Sequence, residues 1–283
     1  MASSILSFVM YWLTEHPSVV NFRWNPSHCW FSTWSFLFST IAAHLFLSLT
    51  LNLLLWKFHR PIPLGPIPAI HSLSLSLLSA FIFSGLLFSA FAEIRDTRWF
   101  WRRSKTPFQW LLCFPLGTKP SGRIFFWSHL YFLSLFLHLL RTPILILRRK
   151  PLTFSHLLHR TMPIFMCFLW LEFSQSLQVI SILSNTFVYV LVYGFLFWRS
   201  FGLGESWLGV VVNLQMVISG CNLAAHLGVL VLHLGKEGCN GIGAWGFNSV
   251  MNGALLFLFL NFYLKKHLKW GRRGPIGELK KEC

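Results

Sequence analysis

Long apolar runs alternate with short cationic breaks along this chain, and the length of each run sets the first expectation. A helix rises about 1.5 Å per residue, so about 20 apolar residues cover the roughly 30 Å hydrocarbon layer of a bilayer. Four stretches reach that length readily: Trp34 to Trp56, Pro68 to Ala92, Ile124 to Leu147 and Gly241 to Leu264. Leu177 to Trp198 and Ser206 to Leu234 are as long but carry a few polar residues. Phe154 to Glu172 is shorter and holds two His and an Arg; it counts as a seventh span. Trp30, Trp34, Trp56, Trp127, Trp198, Trp207, Trp245 and Trp270 cluster near these ends, as indole rings prefer the interface. There is no 20 to 50 residue repeat, and the one long connector, Glu93 to Arg123, is basic and aromatic. The expectation is an all-α, polytopic, multi-pass membrane protein. Residues 1–33 form an N-terminal segment, 34–264 a single seven-helix domain and 265–283 a basic tail.

Composition removes the soluble classes. With 54% apolar residues, 11% charged residues and a mean hydropathy of +0.58, no sizeable soluble domain is left over. A formal charge of +16 suggests nucleic acid in a soluble protein. Here the cations sit in blocks beside apolar runs, where they fix topology and touch anionic membrane lipids, so no nucleic-acid partner is expected. The run Ile5 to Leu13 has no cation ahead of it, so the first true span is expected to act as an uncleaved signal anchor.

Placing the N-terminus in the lumen gives the cytosolic side thirteen Lys and Arg: Lys57, Arg60, Arg148 to Lys150, Arg199 and seven in the tail. The lumenal side then has nine, seven of them in the long connector. The last residues, Lys280-Lys281-Glu282-Cys283, resemble a dilysine signal that returns membrane proteins to the endoplasmic reticulum. Cys29, Cys113, Cys167, Cys221, Cys239 and Cys283 show neither a CxxC nor a zinc spacing.

An ionisable group inside a span costs several kcal/mol unless it faces the protein interior. His138 and Arg141, three residues apart, share a helical face, and Pro143 behind them can free a backbone carbonyl. His156 and His159 also stand at i and i+3, as required of two groups sharing one reaction centre. Arg160 beside them adds a permanent cation for phosphate or carboxylate. Asn185, Tyr189 and Tyr193 make a polar stripe on the fifth span; Asn213 and Gln215 begin one on the sixth. Single Asn, Tyr or Gln residues also join transmembrane helices, at about 0.6 kcal/mol per hydrogen bond. A pure helix contact does not need two imidazoles and a guanidinium within one and a half turns. A di-iron site needs several His boxes, and His44, His71, His129, His226 and His233 are scattered; no metal site is expected.

These residues resemble the ELO-type fatty acid elongases, especially their plant-like members. The resemblance runs through Tyr11 to Trp24, Cys113-Phe-Pro-Leu116, Lys119-Pro-Ser-Gly122, Phe125-Phe-Trp127, the His box, Asn185-Thr-Phe-Val188, Asn213-Leu-Gln-Met216 and the basic end, covering nearly the whole chain. It implies a seven-helix enzyme of the endoplasmic reticulum membrane enclosing a polar pocket and an acyl tunnel. The implied reaction condenses a long-chain acyl-CoA with malonyl-CoA to 3-oxoacyl-CoA, carbon dioxide and CoA, without a cofactor. Other elongation enzymes are implied as partners.

The implied roles are His159 as nucleophile, His156 as its orienting or proton-transfer partner and Tyr189 in the place of the family's second histidine. Arg160, Arg141, His138, Asn185, Tyr193 and Gln215 are implied as substrate contacts. The family also ties its second and sixth loops together, which implies a Cys113 to Cys239 disulfide.

The chain departs from the family motifs. HxxHH ends in Arg160, and KxxExxDT falls on Leu135, His138, Arg141 and Thr142, without its lysine or either carboxylate. HVxMYxYY has Tyr189 for its histidine and keeps Tyr193, and TxxQxxQ keeps Gln215. Two other classes therefore stay open: a catalytically degenerate subunit that binds acyl-CoA or elongation partners, and a small-molecule transporter, which lacks a visible repeat.

Overall fold

The computed structural model describes residues 7–56, 62–97, 107–150, 152–202, 208–235 and 238–272. The long helices are α1 (Trp34–Trp56), α2 (Ile67–Thr97), α3 (Arg123–Leu139), α4 (Arg141–Leu147), α5 (Phe154–Glu172), α6 (Gln178–Arg199), α7 (Leu208–Gly235) and α8 (Ile242–Arg272). Shorter helical pieces occupy Tyr11–Glu15, Pro17–Val20 and Pro107–Leu112. No strand is present among the described residues beyond an isolated antiparallel bridge, Arg23 to Ser121.

Six segments are long and apolar enough to cross a bilayer: α1, α2, α3 with α4, α6, α7 and α8. The expected seventh, α5, forms with its expected bounds and has 19 residues, about 28 Å of reach. Its apolar density is lower because it is surrounded by protein. It packs against α1, α3 and α8, and the whole run Met166 to Leu171 is buried. A helix walled by other helices need not satisfy lipid. The expected single third span is broken at Leu140, between α3 and α4. Pro143 cannot donate to the Leu139 carbonyl, so the ladder is interrupted there.

The bundle is built around α2. Its buried positions Ser72, Leu75, Ser79, Ile82, Leu86 and Ser89 recur every three or four residues. Without a hydrophobic drive between helices in lipid, small residues allow close approach. α2 packs most extensively on α6, then on α3. Ser76 donates to the Val190 carbonyl at 3.0 Å, and Gly85 lies under Trp127, whose ring a Cβ would meet at 2.2 Å.

The two ends of the bundle differ. At one end the N-terminal segment, the connector and two turns interlock: Trp24 N–H donates to the Pro120 carbonyl and Gly122 N–H to that of Phe22. Asn240 N–H donates to the Phe114 carbonyl at 2.8 Å, and the Asn240 amide donates to the carbonyls of Phe173 and Ser174. Gly241 makes this possible, since a Cβ there would come 2.7 Å from the Gln175 backbone. Cys113 and Cys239 are disulfide-bonded across this end, with Cα atoms 5.1 Å apart. At the opposite end the backbone link between the described loop residues and the bundle is Ile62 N–H to the Leu147 carbonyl. α8 continues through Arg272, so the expected tail begins as helix. The dilysine residues and part of the connector lie outside the described residues.

Candidate functional site

The sequence-derived polar residues converge where α3, α4, α5 and α6 meet, toward the end opposite the disulfide. Thr153 caps α5, its hydroxyl accepting from the His156 N–H at 3.2 Å, which fixes the turn carrying His156, His159 and Arg160. Pro163, inside α5, leaves the His159 carbonyl without its helical donor.

Tyr193 is the hub. Arg160 donates from Nη1 to the Tyr193 hydroxyl at 2.7 Å. A guanidinium can only donate, so the phenol oxygen accepts, and its own hydrogen is free for His138 Nδ1 at 2.9 Å. The chain Arg160 to Tyr193 to His138 runs in one direction when His138 carries its hydrogen on Nε2, the tautomer that lets Tyr193 donate to Nδ1. His138 and Tyr193 are 2% and 1% exposed. The Tyr189 ring lies 4.5 Å from that of His138, and Arg141 stands 5.7 Å from the Tyr193 ring centroid, a cation–π approach. His156 Nε2 meets the Thr142 hydroxyl at 3.3 Å. About two turns from Tyr193 along α6, toward the disulfide end, Asn185 donates to the Tyr131 hydroxyl at 3.3 Å.

His159 is half-buried and makes no hydrogen bond to any described residue, so its ring nitrogens are uncommitted. Gln215, on α7, also makes no hydrogen bond among the described residues; α7 packs on α6, which carries Tyr189 and Tyr193. The rest of the expected set stands together.

Two residues the motifs do not contain border the same centre. His44 on α1 is 8% exposed, within electrostatic reach of Arg160 and His156. His71 on α2 lines a cleft with Ser72, Arg141, Arg148 and Ser200. Sequence pattern gave each only as a lone intramembrane histidine, and that cost was the available signal. A second polar group lies between α7, α8 and the turn joining α5 to α6, nearer the disulfide end. Asn248 donates to Gln175, and His226 bridges Ser249 and Asn252.

Charge is uneven. Every described acid is engaged at the disulfide end: Glu15 and Asp96 face Arg95, Glu93 and Asp96 face Arg123, and Glu172 accepts from Trp24 Nε1. Arg141 and Arg160 thus meet no described carboxylate. Such a centre can hold an anion, offer imidazole lone pairs and exclude water. No group of three or more His, Cys, Asp or Glu that could hold a metal is present among the described residues.

A polytopic α-helical bundle with a histidine- and arginine-lined interior is the class that this architecture defines. Residues 29–274 match the ELO family, described as the GNS1/SUR4 family, and the chain belongs to it. It is 56% identical over 273 residues to a "fatty acid elongase 3-like" protein of Arabidopsis thaliana, covering 94% of each chain. A putative fatty acid elongase of Dictyostelium discoideum is 25% identical over 250 residues, covering 88% of this chain and 81% of the relative. Putative fatty acid elongase 1 of Schizosaccharomyces pombe is 24% identical over 280 residues, covering 92% and 80%.

Proposed function

We propose that this chain catalyses the condensing step of fatty acid elongation, joining a long-chain acyl-CoA to malonyl-CoA as a 3-oxoacyl-CoA synthase. Fatty acid elongation itself follows from the family. The observation that carries the finer reading is the uncommitted His159 imidazole beside His156, in a half-buried centre of two guanidiniums with no described carboxylate. In this reading the His159 lone pair attacks the acyl thioester carbonyl, the C–S bond breaks and CoA leaves as a thiol after taking a proton. Decarboxylation of the malonyl group supplies the carbanion, which attacks the acyl-imidazole and restores His159. The balance is one acyl-CoA, one malonyl-CoA and one proton in, and 3-oxoacyl-CoA, carbon dioxide and CoA out. Arg160, Arg141 and His138 hold developing negative charge at the thioester oxygens, and Tyr193, a substrate-side residue in this reading, holds Arg160 and His138 in place. His156 orients the nucleophile, and Tyr189 packs against His138. Asn185 and Gln215 belong to the wall of the acyl tunnel.

We place the protein in the endoplasmic reticulum membrane with the disulfide end lumenal, because a disulfide persists in an oxidising compartment. The cationic ends of α4, α6 and α8 then face cytosolic CoA phosphates. Contacts with other elongation enzymes are part of the same proposal.

Microsomes containing wild type or His159→Ala, given acyl-CoA and labelled malonyl-CoA, test the reaction. Labelled 3-oxoacyl product is expected from wild type and background from the variant. No difference at any chain length sinks the condensing reading. The lost motif carboxylates favour a second one, a subunit that binds acyl-CoA without turning it over. Wild type that retains acyl-CoA but gives no product identifies that case.

A further inference from the structure

His44 and His71 sit on α1 and α2, helices from which the motifs draw no residue. His44 shares the buried stripe of α1 with Leu37 and Ser48. Its Nε2 is buried with no hydrogen-bond partner. His71 Nε2 lies 3.1 Å from the Leu137 carbonyl. A carbonyl only accepts, so this nitrogen carries the hydrogen and Nδ1 presents its lone pair to the interior. That Nδ1 is also buried and unpartnered. Arg160 uses Nη1 on Tyr193, while its Nε is buried without a partner. Three helices therefore contribute three buried nitrogens without a hydrogen-bond partner among the described residues, one of them in the Arg160 guanidinium, which like that of Arg141 has no described counter-charge. Buried polar groups are normally satisfied, and an uncompensated buried charge more so.

The complementary ligand is small, anionic and rich in oxygen. Among the reactants of a condensation, the extender thioester alone carries an ionised group next to its reacting carbon. The phosphates of CoA lie a pantetheine arm away from the chemistry. We propose that His44, His71 and Arg160 form a receptor for the free carboxylate of the malonyl group. This inference rests on the condensing reading for the identity of its ligand. Arg160 Nε–H and His44 Nε2–H donate to the carboxylate oxygens, and His71 Nδ1 joins them as a donor with a proton taken from solvent along with the anion and returned to solvent when carbon dioxide leaves. Once carbon dioxide is released, the neutral product no longer matches these donors, so the receptor favours the extender and not its residue.

The test compares malonyl-CoA with acetyl-CoA, which differ by this carboxylate, for binding to full-length protein in lipid nanodiscs by titration calorimetry. Wild type is expected to bind malonyl-CoA about tenfold more tightly, the effect of one hydrogen bond to a charged group. His44→Leu and His71→Leu each bring the ratio severalfold closer to one while the acetyl-CoA affinity holds. His44→Gln, which keeps an N–H donor, retains most of the preference. A wild-type ratio near one overturns the receptor, as do leucine variants with an undiminished ratio. If a leucine variant does not fold, the wild-type ratio still decides. Wild type that prefers malonyl-CoA but never releases 3-oxoacyl product leaves the receptor standing and removes the condensing reading. Wild type that condenses while binding both thioesters equally removes the receptor alone.

Discussion

Tyr193 receives Arg160, donates to His138 and lies under Arg141, so a single hydroxyl holds three helices in register. Tyr193→Phe keeps the ring and removes that hydroxyl. It leaves a guanidinium N–H and an imidazole nitrogen unpaired in a buried site, at a cost of about 1–3 kcal/mol. The expected result is condensing activity at least tenfold lower, with the protein still inserted and folded; an elongation assay beside a thermal melt checks it. Unchanged turnover removes the hub role. This site was half legible in the sequence. Spacing put Tyr189 and Tyr193 on one stripe, and His156 with His159 on one face, because a 3.6-residue period is a local property. Which stripe faces which is not local, so the bond from Arg160 to Tyr193 could not be read. Nor could the place of His44 and His71, each a single histidine in an apolar run.

For the helices, apolar run length proved a sharp ruler, since bilayer thickness fixes it. α1 and α5 begin and end at the expected residues, and α6 differs by one residue at each end. The break at Leu140 was less visible, because apolar composition continues across Pro143. The crossing of α2 and α3 depends on Gly85, where Trp127 occupies the space of a side chain. An indole wedged between two helices cannot yield as a flexible chain end does. Gly85→Leu is therefore expected to destabilise by at least about 1–3 kcal/mol, the range for overpacking. A melting temperature in detergent several degrees below wild type is the readout; an unshifted melt contradicts the close approach.

At the scale of the molecule, the disulfide closes a sequence separation of 126 residues. A chain-entropy argument gives up to about 5 kcal/mol for so large a loop, less where inserted helices already restrict the unfolded chain. Cys113→Ser, or reductant, is expected to lower the melting temperature by about 5 °C or more. Non-reducing peptide mapping is expected to recover the two peptides joined, and free thiols at both positions contradict the bond.

The same stitched end bears on the order of events. Backbone hydrogen bonds and the disulfide tie the described residues of that end together, so on the condensing reading both thioesters are expected to enter and leave at the opposite end. On that reading the first CoA departs before the second thioester reaches the centre. The kinetics are expected to be ping-pong, with parallel double-reciprocal lines and each thioester inhibiting at high concentration by occupying the other's turn. Intersecting lines would mean that both thioesters are bound at once and would contradict a shared, sequential entry.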